Sequence, residues 1–226
     1  MIRNILIDLD DTILDFKASE ARAITETLKH FGIISSGKEV KLYSQINDEH
    51  WKKLEKGELT REQVLVGRFA KLFDVLGVNA DAIEARHFYE STIKNCVDFI
   101  DGAIALLEEL YKKCRLYLVS NGTAVVQDNR IKIAGIEKYF DGIFISQRVG
   151  YNKPSPLYFE KVFREILDFK KSETIILGDS LSSDMAGGRA VGIKTCWFTK
   201  NAKNDEKVDY CISNLNEFTH ILSKIK

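Results

Sequence analysis

The sequence has little proline, two residues among 226, and only four histidines and four cysteines. So little proline excludes a proline-rich linker or recognition segment and leaves long stretches open to helix and strand. Cys96, Cys114, Cys196 and Cys211 lie far apart with no C-x-x-C pair. They read as isolated thiols in a reducing compartment, with neither a disulfide framework nor a zinc site. His30, His50, His87 and His220 are scattered, and no two have ligand spacing. Net charge is also missing, with 33 basic residues against 33 acidic. No global field favours a polyanion, which argues against a nucleic-acid polymer or an anionic membrane as partner. A small phosphorylated metabolite needs only a local cationic spot. No apolar run approaches the ~20 residues that span a bilayer. The run from Met1 to Asp8 is too short for a signal peptide and leads straight into a strand. The expectation is a cytoplasmic protein. Walker and dinucleotide fingerprints and internal repeats are absent as well.

What is present is an alternation. Asn4–Leu9 forms a short apolar run bounded by polar residues, as suits a strand buried on both faces. Similar runs recur at Leu116–Ser120, Ile143–Ser146, Thr174–Asp179, Thr195–Phe198 and, more weakly, Tyr210–Ile212. Between them, Ala103–Lys113 places Ile104, Leu107 and Tyr111 on one helical face. Ser155-Pro156 opens a second helix with a cap and a proline at its first position. Strand alternating with helix predicts an α/β fold, a Rossmann-like parallel sheet covered on both faces. From Phe16 to Val97 the rhythm stops, and only helical periodicity is found. Ala21, Ile24, Leu28 and Phe31 share a face before Gly32, Thr60-Arg61-Glu62-Gln63 reads as a capping box, and Asp81 starts another helix. The expected organisation is a core of residues 1–15 and 98–226 with an inserted all-helical cap domain over 16–97.

In an open parallel sheet, ligands bind at the carboxyl ends of the strands. The first strand ends in Asp8 and Asp10, the second in Ser120-Asn121-Gly122, and the fourth in Gly178-Asp179 with Asp184 following; Lys153-Pro154 follows the third. Carboxylates gathered on one edge repel unless a cation and a lysine neutralise them. Oxygen ligands with few histidines suit a hard divalent ion, and beside phosphate chemistry that ion is Mg2+. Asp8 is then placed to attack phosphorus and Asp10 to move a proton to the leaving oxygen and from water. Ser120 and the N–H groups after it, with Lys153, would hold phosphate oxygens.

Taken in order, Asp8-Leu9-Asp10-Asp11-Thr12, Ser120-Asn121-Gly122, Lys153-Pro154 and Gly178-Asp179-(x)4-Asp184 resemble the four motifs of the haloacid dehalogenase-like hydrolases. The match spans essentially the whole chain, and the helical insert resembles that superfamily's four-helix cap. The resemblance implies Asp8 as nucleophile and metal ligand, and Asp10 as acid/base that lends its backbone carbonyl to the metal. It implies Asp179 as a direct ligand, Asp184 at or just behind the ion, and Leu9, Thr12, Asn121 and Gly122 beside Ser120 and Lys153 at the phosphate. Asp10, usually missing in the namesake dehalogenases, points to the phosphatase branch. In the insert, Asn47-Asp48-Glu49-His50-Trp51, Gly57, Thr60, Gln63 and Gly67-Arg68-Phe69 resemble the YjjG-type pyrimidine 5′-nucleotidases. So do Val149-Gly150 and Thr195-Cys196-Trp197. That implies a nucleoside monophosphate as substrate and Trp51 and Arg68 as contacts to it, in a monomer or homodimer. Trp51 and Phe69 as cap core, with Arg68 in a surface ion pair, is the alternative.

Two other functions fit parts of the pattern. A phosphatase or mutase for phosphorylated sugars would use the same four motifs. A non-enzymatic phospho-aspartyl switch would also use a parallel sheet and an acceptor Asp. Such receivers are shorter, have no helical insert, and carry the acceptor on a later strand.

Overall fold

A computed structural model describes residues 1–200 and 207–225. The chain opens with β1 (Asn4–Ile7) and then runs through α1 (Phe16–His30), α2 (Lys38–Glu55), α3 (Arg61–Leu76) and α4 (Ala82–Ile93). After these come α5 (Ala103–Leu110), β2 (Arg115–Ser120), α6 (Ala124–Ala134), β3 (Gly142–Ile145), α7 (Ser146–Val149) and α8 (Pro156–Arg164). The last elements are β4 (Thr174–Gly178), a π-helical turn over Leu181–Met185, α9 (Ala186–Val191), β5 (Lys194–Phe198), β6 (Tyr210–Ile212) and α10 (Asn216–Lys224). Contacts divide the chain into two compact units, residues 1–15 with 98–226 and residues 16–97.

The first unit is a six-stranded sheet in the order β3-β2-β1-β4-β5-β6, and every pairing is parallel. Strands buried on both faces read as continuous apolar runs. Accordingly Asn4-Ile5-Leu6-Ile7 is buried throughout, with Leu6, Val119 and Ile176 in one core alongside Tyr158, Phe159 and Val162 of α8. Because β1 lies between β2 and β4, the strand order reverses there, which opens the crevice in which such sheets bind ligands. The chain leaves the sheet after β1 through a tight loop in which Asp11 has φ +56°. Aspartate tolerates that region better than most residues. Residues on either side of the insertion pair antiparallel: Leu14 opposes Phe99, Asp15 N–H donates to the Asp98 carbonyl (2.9 Å) and Ile100 N–H to that of Ile13 (3.0 Å).

The second unit holds four helices, with α2 and α4 packed on α3 and α1 packed on α4 and α2. Thr60 and Gln63 complete the expected capping box, and Asp81 caps α4 through its carboxylate. The inward face of α1 is Glu20, Ala23, Ile24, Thr27 and Leu28, so the expected Ala21 and Phe31 are displaced from its centre. Arg68 is no surface ion pair. It is 3% exposed, donates to Asn47 Oδ1 at 2.8 Å, and lies 4.9 Å from the Tyr89 ring centroid and 5.1 Å from that of Phe69. Asn47 passes the link to Glu20 at 2.7 Å, whose second oxygen accepts from Ser44 at 2.7 Å. Burial pushes the Glu20 carboxyl up despite those donors. Trp51 is half-buried with Arg61 over its ring.

Candidate functional site

The residues singled out at the strand ends meet in the first unit. Asp8 continues β1, its N–H donating to the Leu177 carbonyl at 2.9 Å. Ser120 is the last residue of β2 and Asp179 the first after β4, so the two flank Asp8 on either side. Lys153, in the turn between α7 and α8, is 1% exposed. Its ammonium donates to Asp8 Oδ1 (2.6 Å), Asp184 Oδ1 (2.6 Å) and the Val119 carbonyl (2.9 Å). All three of its protons are thus placed.

A buried ammonium is costly unless paired this fully. Burial alone would depress the lysine, but Asp184 and Asp8 outweigh it and hold its pKa above the ordinary value. Asp8 is pushed well up, first by burial and then by Asp184 and Asp10, with Lys153 opposing. Asp179 is raised as well, by burial and then by Asp8, Asp184 and Asp11. One carboxylate oxygen from each of Asp8, Asp179 and Asp184 lies within 4.8 Å of the others. Three carboxylate oxygens gathered this closely fit a hard divalent cation such as Mg2+, whose charge would offset the burial and repulsion that raise Asp8 and Asp179.

Local geometry explains how Asp184 arrives there. The π-helical turn is anchored at Ser180, whose hydroxyl accepts from Ser183 N–H at 3.2 Å, and Ser180 N–H donates to Asp184 Oδ2 at 3.2 Å. Such turns recur at functional sites because the extra residue re-aims a side chain. Gly178 leaves the room, since a Cβ there would come within 2.3 Å of Asp184 Oδ2. Gly187 and Gly188, expected to allow close packing, have no space for a side chain either, with Phe159 at 2.3 Å and Ile176 at 2.7 Å. Trp197 fixes the other acid's backbone, its indole N–H donating to the Asp179 carbonyl at 2.7 Å.

Ser120 Oγ accepts from Gly122 N–H (3.1 Å) and Gln127 Nε2 (2.9 Å). With both lone pairs taken, the hydroxyl is left to donate its own proton. The Asn121 side chain is committed to the lysine turn: Oδ1 accepts from Lys153 N–H (2.8 Å) and Nδ2 donates to the Lys153 carbonyl (2.9 Å). Leu9 and Thr12 are buried, and Thr12 Oγ1 has no hydrogen-bond partner.

The Asp10 carboxylate stands outside the group formed by Asp8, Asp179 and Asp184. It is engaged from α6, by Gln127 Nε2 at 2.6 Å on Oδ2 and by the Arg130 guanidinium on Oδ1. Neither Gln127 nor Arg130 is among the residues expected from the sequence. The signal open to the sequence was that Ala124–Ala134 has no amphipathic pattern to assign its polar residues to solvent.

Residues 5–198 match the family described as haloacid dehalogenase-like hydrolase. The chain is 36% identical to the HAD-hydrolase YfnB of Bacillus subtilis over 98% of this chain and 95% of that protein. A magnesium-bound crystal structure of YfnB, in which interdomain movement is seen, superposes with a TM-score of 0.92 over 98% of both chains. Pyrimidine 5′-nucleotidase PynA of Streptococcus pneumoniae is 33% identical, over 86% of this chain and 82% of PynA. Pyrimidine 5′-nucleotidase YjjG of Escherichia coli is 25% identical, over 97% of each. Sequence, fold and the arrangement of acids around Lys153 converge, and the chain is an enzyme of the haloacid dehalogenase-like hydrolase family.

Proposed function

We propose that this enzyme hydrolyses phosphate monoesters through a covalent phosphoryl group on Asp8, and that its substrates are pyrimidine nucleoside 5′-monophosphates. The observation that carries the chemistry is Asp8 paired to Lys153 between Ser120 and Asp179, with Asp10 two residues on. The similarity to PynA and YjjG supports the substrate class.

In the first half-reaction an Asp8 carboxylate oxygen attacks phosphorus. The bond from phosphorus to the ester oxygen breaks, and that oxygen takes a proton from Asp10 as the alcohol leaves. In the second, Asp10 takes a proton from water, whose oxygen attacks phosphorus and releases Asp8 and inorganic phosphate. The Ser120 hydroxyl holds an equatorial oxygen, Lys153 acts beside it as a positive point charge, and the N–H groups of Leu9, Asp10, Thr12 and Asn121 are the backbone donors to the others. Mg2+ held by Asp8, Asp179 and Asp184, with the Asp10 carbonyl, would neutralise charge on the phosphoryl oxygens.

We assign choice of substrate to the helical unit of residues 16–97, as a cap domain. Trp51 offers an aromatic face for a base. Arg68, held inside by Asn47 and three rings, is assigned to the framework of that unit instead of direct contact.

Phosphate release from uridine, thymidine, cytidine, adenosine and guanosine 5′-monophosphates, beside a panel of sugar phosphates, tests this reading. With Mg2+, the pyrimidine nucleotides are expected to lead. Release from sugar phosphates alone would overturn the substrate class, and release from none would overturn the phosphatase reading.

Metal binding has its own readout. The chain has two tryptophans, so Trp51→Phe leaves Trp197, bonded to the Asp179 carbonyl, as the sole tryptophan, excited selectively at its red edge. Its emission should change with Mg2+. At 100 times Kd, Mg2+ should add about 2.7 kcal/mol of stability, or roughly 5–10 °C in Tm. The acids set the pH dependence. Raised folded pKa values mean that the metal-free fold keeps protons that the unfolded chain releases. Its stability therefore falls as pH rises through and above the ordinary carboxylate range. Mg2+ must displace those protons, so its stabilisation should shrink as pH falls. A Tm indifferent to Mg2+ at neutral pH would contradict the site.

A further inference from the structure

Helix α6 buries Val126 and Ile131, as an ordinary helix would, but two polar residues share that buried side. It places apolar Val125 and Ile133 in solvent, 71% and 51% exposed, and encloses the guanidinium of Arg130 at 0% exposure with Gln127 one turn before it. Burying a guanidinium is costly unless it meets a carboxylate in good geometry. Here the carboxylate is that of Asp10, whose side chain is 26% exposed.

The two donors divide the carboxylate between them. Oδ1 accepts from Arg130 Nη1 and Oδ2 from Gln127 Nε2 at 2.6 Å. Arg130 Nη1 also donates to Gln127 Oε1 at 3.0 Å, which fixes the amide so that its nitrogen faces Asp10. Gln127 Nε2 has a second acceptor, Ser120 Oγ at 2.9 Å. Gly122 makes room for this, because a Cβ there would come within 2.4 Å of Gln127 Nε2.

The two carboxylate oxygens are therefore not equivalent. Oδ1 is pinned by a charged donor. Oδ2 is held by an amide that can release it and still keep an acceptor in Ser120. We propose that Arg130 and Gln127 are positioning residues for proton transfer by Asp10, with Oδ1 the anchored oxygen and Oδ2 the one that carries the proton to the leaving oxygen. This rests on the reading of Asp10 as proton donor given above. A proton on Oδ2 makes that oxygen a donor, so it turns from the Gln127 amide while the Oδ1 contact keeps the carboxyl plane in place. Proton transfer depends steeply on such alignment.

The dependence on leaving group separates this from a structural role. A poor leaving alcohol needs its proton in the transition state, whereas p-nitrophenolate leaves with little help. Wild type, Arg130→Met, Arg130→Lys and Gln127→Met are compared with Mg2+ in single-turnover release of the alcohol. The substrates run from p-nitrophenyl phosphate to a nucleoside 5′-monophosphate.

Arg130→Met should slow release from the nucleotide by about 10–100-fold and release of p-nitrophenolate by less than about threefold. KM should stay within about threefold, and Arg130→Lys should recover part of the loss. Gln127→Met, close in shape, should show the same selectivity more weakly, and it decides the matter if the Arg130 variants do not fold. Equal loss across the series, or no loss in any folded variant, overturns the positioning role. A wild type inactive on the whole series instead overturns the phosphatase reading itself.

Discussion

Asp8→Asn is expected to abolish turnover while leaving the protein folded. The amide cannot form the acyl phosphate, so kcat should fall on the order of 10⁴-fold or more. Stability should barely move, for reasons visible at the site. Burial and the charges of Asp184 and Asp10 already oppose ionisation of Asp8. Lys153 meanwhile keeps Asp184 Oδ1 and the Val119 carbonyl when the Asp8 charge is removed. Asparagine has nearly the same shape, so no cavity opens. Phosphate release paired with a thermal melt in chelator checks both halves. Near-normal activity in a folded Asp8→Asn protein would eliminate the covalent route through this residue.

Lys153→Met should have the opposite signature, a large loss of stability along with the loss of activity. Methionine approximates the length of the stem but leaves Asp8, Asp179 and Asp184 gathered within 4.8 Å with no cation among them. Removing one partner of a buried ion pair costs about 3–5 kcal/mol, which for a chain of this size lowers Tm by roughly 6–20 °C. The loss should depend on pH with a definite sign. Without the ammonium, the raised Asp8 carboxyl rises further, and the folded state holds protons that the unfolded state gives up. Stability of the metal-free variant should therefore fall more steeply than wild type as pH rises above the ordinary carboxylate range, and the two should converge in acid. Melts of both proteins across pH test this. Parallel curves would show that the lysine charge is not what holds the acids together.

Asp8, Ser120, Lys153, Asp179 and Asp184 could be read from the sequence because each follows a short apolar run that suits a buried strand, or follows the next turn, and because their order resembles a known set of motifs. A parallel sheet then brings such positions to one edge whatever the details of packing. The capping box at Thr60 and the cap at Asp81 were legible for a similar reason, being local chemistry. Elements without such marks were not. Helix α2 begins after Gly37 with no side-chain cap, and its buried residues include polar Asn47. The π-helical turn at Leu181–Met185 differs from an ordinary helix start by one residue, which no periodicity reveals. Ile143–Ser146 read as a single strand, but Ser146 already begins α7. Arg130 and Gln127 were missed for a deeper reason. Hydrophobic patterning assigns polar residues to solvent, but on α6 Gln127 and Arg130 are buried beside Val126 and Ile131 because a carboxylate from the loop after β1 meets them there.

The antiparallel pairing of Leu14 with Phe99, flanked by the bonds from Asp15 to Asp98 and from Ile100 to Ile13, has an architectural consequence. It is geometrically a hairpin whose turn has been replaced by a whole helical module. The departing and returning segments are fastened side by side at this bridge, which gives the sheet-bearing unit two adjacent attachment points. Splicing across them, either to a two-residue turn or to a foreign helical segment with adjacent ends, closes no new long loop and strains no strand. The acids and Lys153 all lie outside the spliced interval. The chain is thereby laid out as a cassette, in which the module can be exchanged while the phosphoryl chemistry stays where the sheet puts it.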